Sequence, residues 1–119
     1  MKKSLRVKRV EETIFKQLSL ILENYLRDLD FPITTIVGVN SDPGLQLVKV
    51  KVSVYGDKLQ KEKVLDYLTQ KKKHIRYLLA GKIRIKYMPD LEFLEDTSID
   101  MLNKIEKIIE AEKKSDQDN

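Results

Sequence analysis

The sequence predicts a single α+β domain around a three-stranded sheet, in the order helix, strand, strand, helix, strand, helix. Three observations carry this. A long apolar stripe at helical spacing opens the chain. Val48, Val50, Val52 and Val54 then alternate with Lys49, Lys51, Ser53 and Tyr55, and a second helical pattern leads to a shorter alternation at Ile83, Ile85 and Tyr87. A one-sided stripe and a one-sided sheet each need cover, and each supplies it to the other.

Ser4 is the expected N-cap of the first helix, which should run from Leu5 to Asp28 and end before Pro32. Val7, Val10, Ile14, Leu18, Ile21, Leu22, Tyr25 and Leu29 form its apolar side. Ile33 to Val39 is β-branched and reads as a strand; Asn40 to Gly44 reads as a turn, with Pro43 fixing φ and Gly44 accepting a positive φ. Leu45 to Tyr55 is the second strand. Asp57 with Gln60 makes a capping box for a second helix, whose apolar positions are Val64, Leu65, Leu68, Ile75, Leu78 and Leu79. The lysine triplet leaves room for a kink or a register change near Lys71 to Lys73 without requiring one, and Gly81 should stop the helix.

The third strand is expected at Ile83 to Tyr87, with Pro89 ending it and Leu91 and Phe93 returning to the core. Thr97 and Asp100 then resemble another cap before a stripe of Ile99, Leu102, Ile105 and Ile109. Residues 1–111 therefore read as one domain and 112–119 as a flexible tail.

At 119 residues the chain can bury a core without staples. It has no Cys, which excludes disulfides and thiolate metal sites, and one His cannot build a histidine cluster. No metal or cofactor is expected. No apolar run is long enough to span a bilayer and the basic start lacks a signal-peptide core, so a cytoplasmic protein with no membrane partner is expected. Walker-type, dinucleotide-binding and HExxH motifs are all missing from the sequence, and Asp90 with Glu92 has no sign of a pocket. No catalytic residue is assigned.

Lys and Arg number 23 against 19 Asp and Glu, a net charge of +4. That excess matters through its segregation. Lys2, Lys3, Arg6, Lys8 and Arg9 crowd the start of the first helix, where the dipole disfavours cations. Lys71, Lys72, Lys73 and Arg76 follow on the second helix, and Lys82, Arg84 and Lys86 should share one strand face. Phosphate binding is the functional reading of Lys3, Arg6, Arg9, Lys71, Lys72, Lys73, Arg76, Lys82, Arg84 and Lys86; a solvated surface is the plainer one. His74 reads as an ordinary helix residue, and the five tyrosines read as packing rather than base-stacking groups.

These residues in this order resemble the ribosome-binding factor A family. The likeness runs from Arg6 through Ser41, Leu45, Val50, Val52, Ser53 and Gly56. It is densest from Ile75-Arg76 through Leu79 and Arg84 to Pro89, Leu91, Phe93, Asp96 and Ser98. Lys71 and Lys73 stand where the family usually has Ala and Gly at a helical kink, and Gly44 stands where an acidic residue is common. The resemblance implies a KH-like fold related to type II, with the kinked helix replacing the usual Gly-x-x-Gly clamp, which this chain lacks. It also implies a non-enzymatic factor that binds the free small ribosomal subunit and its rRNA, assists late maturation of the 5′ region, and supports cold adaptation.

The mechanism expected on that basis is recognition of RNA by charge and shape. A generic KH-like RNA-binding protein and a basic protein-interaction module are the competing readings. A ribosomal protein is a candidate second partner for the acidic run from Glu92 to Asp100, and a monomer is expected.

Overall fold

The computed structural model describes residues 3–97, 106, 109 and 110. Helix α1 spans Leu5–Leu26, and the Ser4 hydroxyl accepts a bond from the Val7 amide at 3.2 Å, as an N-cap should. The helix stops two residues short of Asp28, where the Leu29 amide turns back to the Leu26 carbonyl at 3.2 Å. Val7, Ile14, Leu18 and Leu22 are buried along it, whereas Leu29 lies beyond the helix and stays exposed.

Strand β1 (Thr34–Ser41) pairs antiparallel with β2 (Leu47–Val54). Ile36 faces Val52 while Gly38 faces Lys51, so Val37 is an extra residue in a bulge. The bulge changes the phase of β1 and brings Val39 and Ser41 opposite the buried Val50 and Val48. Ser41 is buried yet satisfied: its hydroxyl donates to the Asp42 carbonyl at 2.8 Å, and its amide donates to the Glu11 carboxylate at 2.8 Å.

The hairpin turn lies later than expected, since Asn40 and Ser41 belong to β1 and β2 resumes only at Leu47, and its left-handed residue differs too. Leu45, not Gly44, carries the positive φ of 54°. The Asp42 carboxylate accepts bonds from the amides of Gly44, Gln46 and Leu47 at 3.2, 2.7 and 2.8 Å, while Leu45 donates to the Asp42 carbonyl at 3.1 Å. This set closes a turn over Pro43 and Gly44 and leaves the left-handed step to the next residue.

Helix α2 (Lys58–Gln70) begins with the expected capping box: Gln60 N–H to Asp57 at 2.8 Å, and Asp57 N–H to the Gln60 side chain at 2.9 Å. Gly56 makes room for it, since a Cβ there would stand 2.5 Å from the Gln60 side-chain oxygen. The helix breaks at Lys71, and α3 (Lys72–Ala80) continues to Gly81. Lys71 adopts φ −93° and ψ 4°, a conformation open to any L-residue, so the break needs neither Ala nor Gly. The kink that the resemblance implies is therefore present with lysines in it.

The third strand is not where the alternation at Ile83 to Tyr87 placed it. Strand β3 is Asp90–Glu95 and pairs parallel with β2, Leu91 beside Val48 and Phe93 beside Val50. Residues 82–89 form an irregular connection instead. The Arg76 guanidinium holds the carbonyls of Met88 and Pro89 at 2.5 and 2.9 Å, and pairing begins one residue later, with Asp90 N–H to the Gln46 carbonyl at 2.9 Å. Leu91 and Phe93 do return to the core, as expected.

The sheet order is β1-β2-β3, and the α+β class stands. Ile14, Leu18 and Leu22 of α1, Val64 and Leu68 of α2, and Ile75 and Leu79 of α3 meet the four valines of β2 in one cluster. Lys49 and Lys51 point away from it and are exposed. Glu106, Ile109 and Glu110 are helical; the rest of the expected final helix, the Asp100 half of its cap, the tail and Lys2 lie outside the described residues.

Candidate nucleic-acid interface

A groove of about 620 Å³ runs between the first turn of α1, the 43–46 turn and the connection into β3. Its walls carry three cations from three separate parts of the chain: Arg6, Arg76 and Lys86, with Ser4, Leu45 and Tyr87 between them. The α1 cap positions Arg6, and the Asp42 amide cage positions Leu45. Among these bonds the Leu47 amide does most to hold the Asp42 carboxyl below its ordinary value; desolvation opposes it, and the Gln46 and Gly44 amides add to it. The cage is thus built for an ionised Asp42.

The sequence-predicted cations fall into distinct surroundings. Lys3 is half-buried, 2.6 Å from Glu11 and also bonded to the Asn40 side chain, so it ties the chain start to β1. Arg6 lines the groove and Arg9, one turn on, is exposed. Lys72 stands 3.6 Å from the Asp90 carboxylate on the groove rim. Arg76 uses two of its N–H groups on backbone carbonyls, which makes it a clamp as well as a charge on the groove wall.

Lys71 and Lys73 are exposed at the start of α3, Lys71 with its ammonium 5.9 Å from the Tyr67 ring centroid. Lys82, Arg84 and Lys86 are exposed but do not share a strand face, because their segment is not a strand. Of the three, Lys86 reaches the groove, its ammonium 5.5 Å from the Tyr87 ring. The alternation that suggested a flat basic strip is instead an irregular arm lying over the clamp.

Sequence reasoning missed an aromatic row. Phe31 and Tyr67 are 5.2 Å apart, Tyr67 and Tyr25 6.1 Å, Tyr25 and His74 5.7 Å, and His74 and Tyr77 6.5 Å. The Tyr25 hydroxyl lies 3.1 Å from His74 Nδ1, so the lone imidazole has a partner after all. Burial, and then the neighbouring Tyr67, raise the Tyr25 hydroxyl above its ordinary value. The three-residue step from His74 to Tyr77, within one helix, was the available signal.

Among the described residues, no group of three His, Cys, Asp or Glu could hold a metal ion. No described helix is long and apolar enough to cross a membrane.

The profile of ribosome-binding factor A matches residues 6–109, from the first groove arginine to the last described helical turn. The chain belongs to the ribosome-binding factor A family. It is 36% identical to ribosome-binding factor A of Brevibacillus brevis over 87% of this chain and 86% of that one. It is 40% identical to that of Chloroherpeton thalassium over 89% and 86%. Its fold matches a homology model of the Thermus thermophilus factor fitted into the cryo-EM map of a 30S complex with that factor. There the TM-score is 0.63 at 22% identity, covering 75% of this chain and 93% of that one.

Proposed function

We propose that this protein is a non-enzymatic assembly factor that binds the free small ribosomal subunit through its rRNA and assists late maturation of the 5′ region. Family membership across residues 6–109 carries the reading. The 30S complex of the Thermus thermophilus factor, and a groove that gathers Arg6, Arg76 and Lys86, support it. Phosphate contacts along such a groove supply affinity, and the shape of the RNA supplies selectivity. Residues 1–111 act as the binding unit, with 112–119 dispensable. The protein works as a monomer in the cytoplasm, and the acidic run that begins at the exposed Glu92 is the candidate contact for a basic ribosomal protein.

Co-sedimentation with purified 30S, 50S and 70S particles across a salt series tests this. Selective pelleting with free 30S, weakened by salt and by the double change Arg6→Glu and Lys86→Glu, is the expected result. A chain ending at residue 111 should pellet equally well. Equal binding to all three particles reduces the protein to a general RNA binder, and salt-insensitive, RNase-insensitive binding replaces the RNA mechanism with a protein contact.

A further inference from the structure

The solvent ridge of α3 combines exposed aromatic surface with unpaired positive charge. Tyr77 is 75% exposed, so its ring contributes little to the core. It lies nearly parallel to the exposed His74 ring, at 13° and 6.5 Å between centroids. His74 is fixed from behind by the Tyr25 hydroxyl at 3.1 Å, and Tyr25 by the edge of Tyr67. The row thus fixes the His74 half of the ledge, which lowers the ordering entropy that half loses when something lands on it.

Charge surrounds it on one side. Lys73 is one turn before Tyr77 on the same ridge, and Lys71 is three residues before His74. Neither lysine has an ion pair among the described residues, in contrast to Lys72, which faces Asp90. A flat aromatic surface suits the π-face of any base, and adjacent ammonium groups suit the phosphates on either side of it. Lysine is depleted from the cores of protein interfaces, which argues against a protein occupant here.

We propose that His74 and Tyr77 form a ledge on which one unpaired RNA base stacks, with Lys73 and Lys71 meeting the flanking phosphates. This rests on the RNA reading above and adds a second contact, on α3, separate from the phosphate groove. It assigns an unstacked nucleotide as the ligand, whereas the groove takes backbone.

The test is a 30S-pelleting salt series with Tyr77→Ala, Tyr77→Phe and Tyr77→Leu, beside fluorescence anisotropy of a labelled single-stranded decauridylate. Tyr77→Ala should weaken both by about tenfold at every salt concentration, with an unchanged salt slope. Tyr77→Phe should match the wild type, and Tyr77→Leu should fail like Ala, because stacking needs a ring rather than apolar bulk. Lys73→Gln should lower the slope by about 0.7.

Wild-type affinity in Tyr77→Ala overturns the ledge while leaving the 30S reading intact, and so does full rescue by Leu. Tyr77-dependent decauridylate binding without 30S binding keeps the ledge and removes the ribosomal partner. Loss of both kinds of binding in the wild type overturns the two together. Circular dichroism of each variant should be unchanged, since the Tyr77 ring is mostly in solvent.

Discussion

Asp42 shows how one carboxylate shapes a surface it does not itself form. Its three amide bonds lower its folded pKa, so it contributes stability that is present above the unfolded value and lost as pH falls through the folded value. In urea unfolding from pH 7 to pH 2, Asp42→Asn should be less stable than the wild type at pH 7. The gap should close as the pH falls below about 4, the ordinary aspartate range. A constant gap across that range would refute the cage. The turn over Pro43 and Gly44 was legible, but its start was not, Asn40 and Ser41 being paired in β1, and neither was the left-handed residue. Glycine is the default for positive φ, and nothing in the leucine at 45 announces that three Asp42 bonds push the step onto it. Arg76 was read only as a phosphate ligand for a similar reason: sequence shows a guanidinium but not the two carbonyls that occupy it.

At the scale of elements, α1, β1, β2 and α2 were legible to within two residues, because strong periodicity and side-chain caps define them locally. Strand β3 was not. Ile83, Ile85 and Tyr87 alternate as well as a short strand does, but the choice between them and Leu91 and Phe93 is made by pairing with β2 at long range. Arg76 enforces that choice by pinning the carbonyls just before Asp90. Arg76→Lys keeps the charge and loses the fork, leaving one or both carbonyls without a fixed donor. The expected cost is on the order of 1–3 kcal/mol in unfolding. Hydrogen exchange should quicken first at the Asp90 and Leu91 amides, while the amides of the β1–β2 hairpin keep their protection. Uniform loss of protection would mean that the clamp serves global stability rather than the position of β3.

Across the described residues, α1, α2 and α3 cover one face of the sheet and α1 and α3 deliver charges to its rim, so the fold sorts its cations by the work they do. Lys3 and Lys72 hold chain to chain, Arg6 and Lys86 face an open groove, and Arg76 does both. Sequence cannot make that division, because a lysine beside a distant carboxylate and a lysine facing solvent look alike until the chain is folded. The division has a measurable consequence. Neutralising a cation that meets an RNA phosphate lowers the slope of log affinity against log salt by about 0.7 to 0.9 and leaves folding alone. Neutralising one that bonds its own chain lowers stability and leaves the slope alone. Arg6→Gln with Lys86→Gln should therefore reduce the slope for 30S binding by about 1.4 to 1.8, with an unchanged melting temperature. Lys3→Gln should do the reverse: a lower melting temperature, as the Lys3 bonds to Glu11 and Asn40 are lost, and a parallel salt line. If Lys3→Gln changes the slope as much as the groove pair does, Lys3 leaves Glu11 in the complex and the intramolecular tie is a feature of the free protein alone.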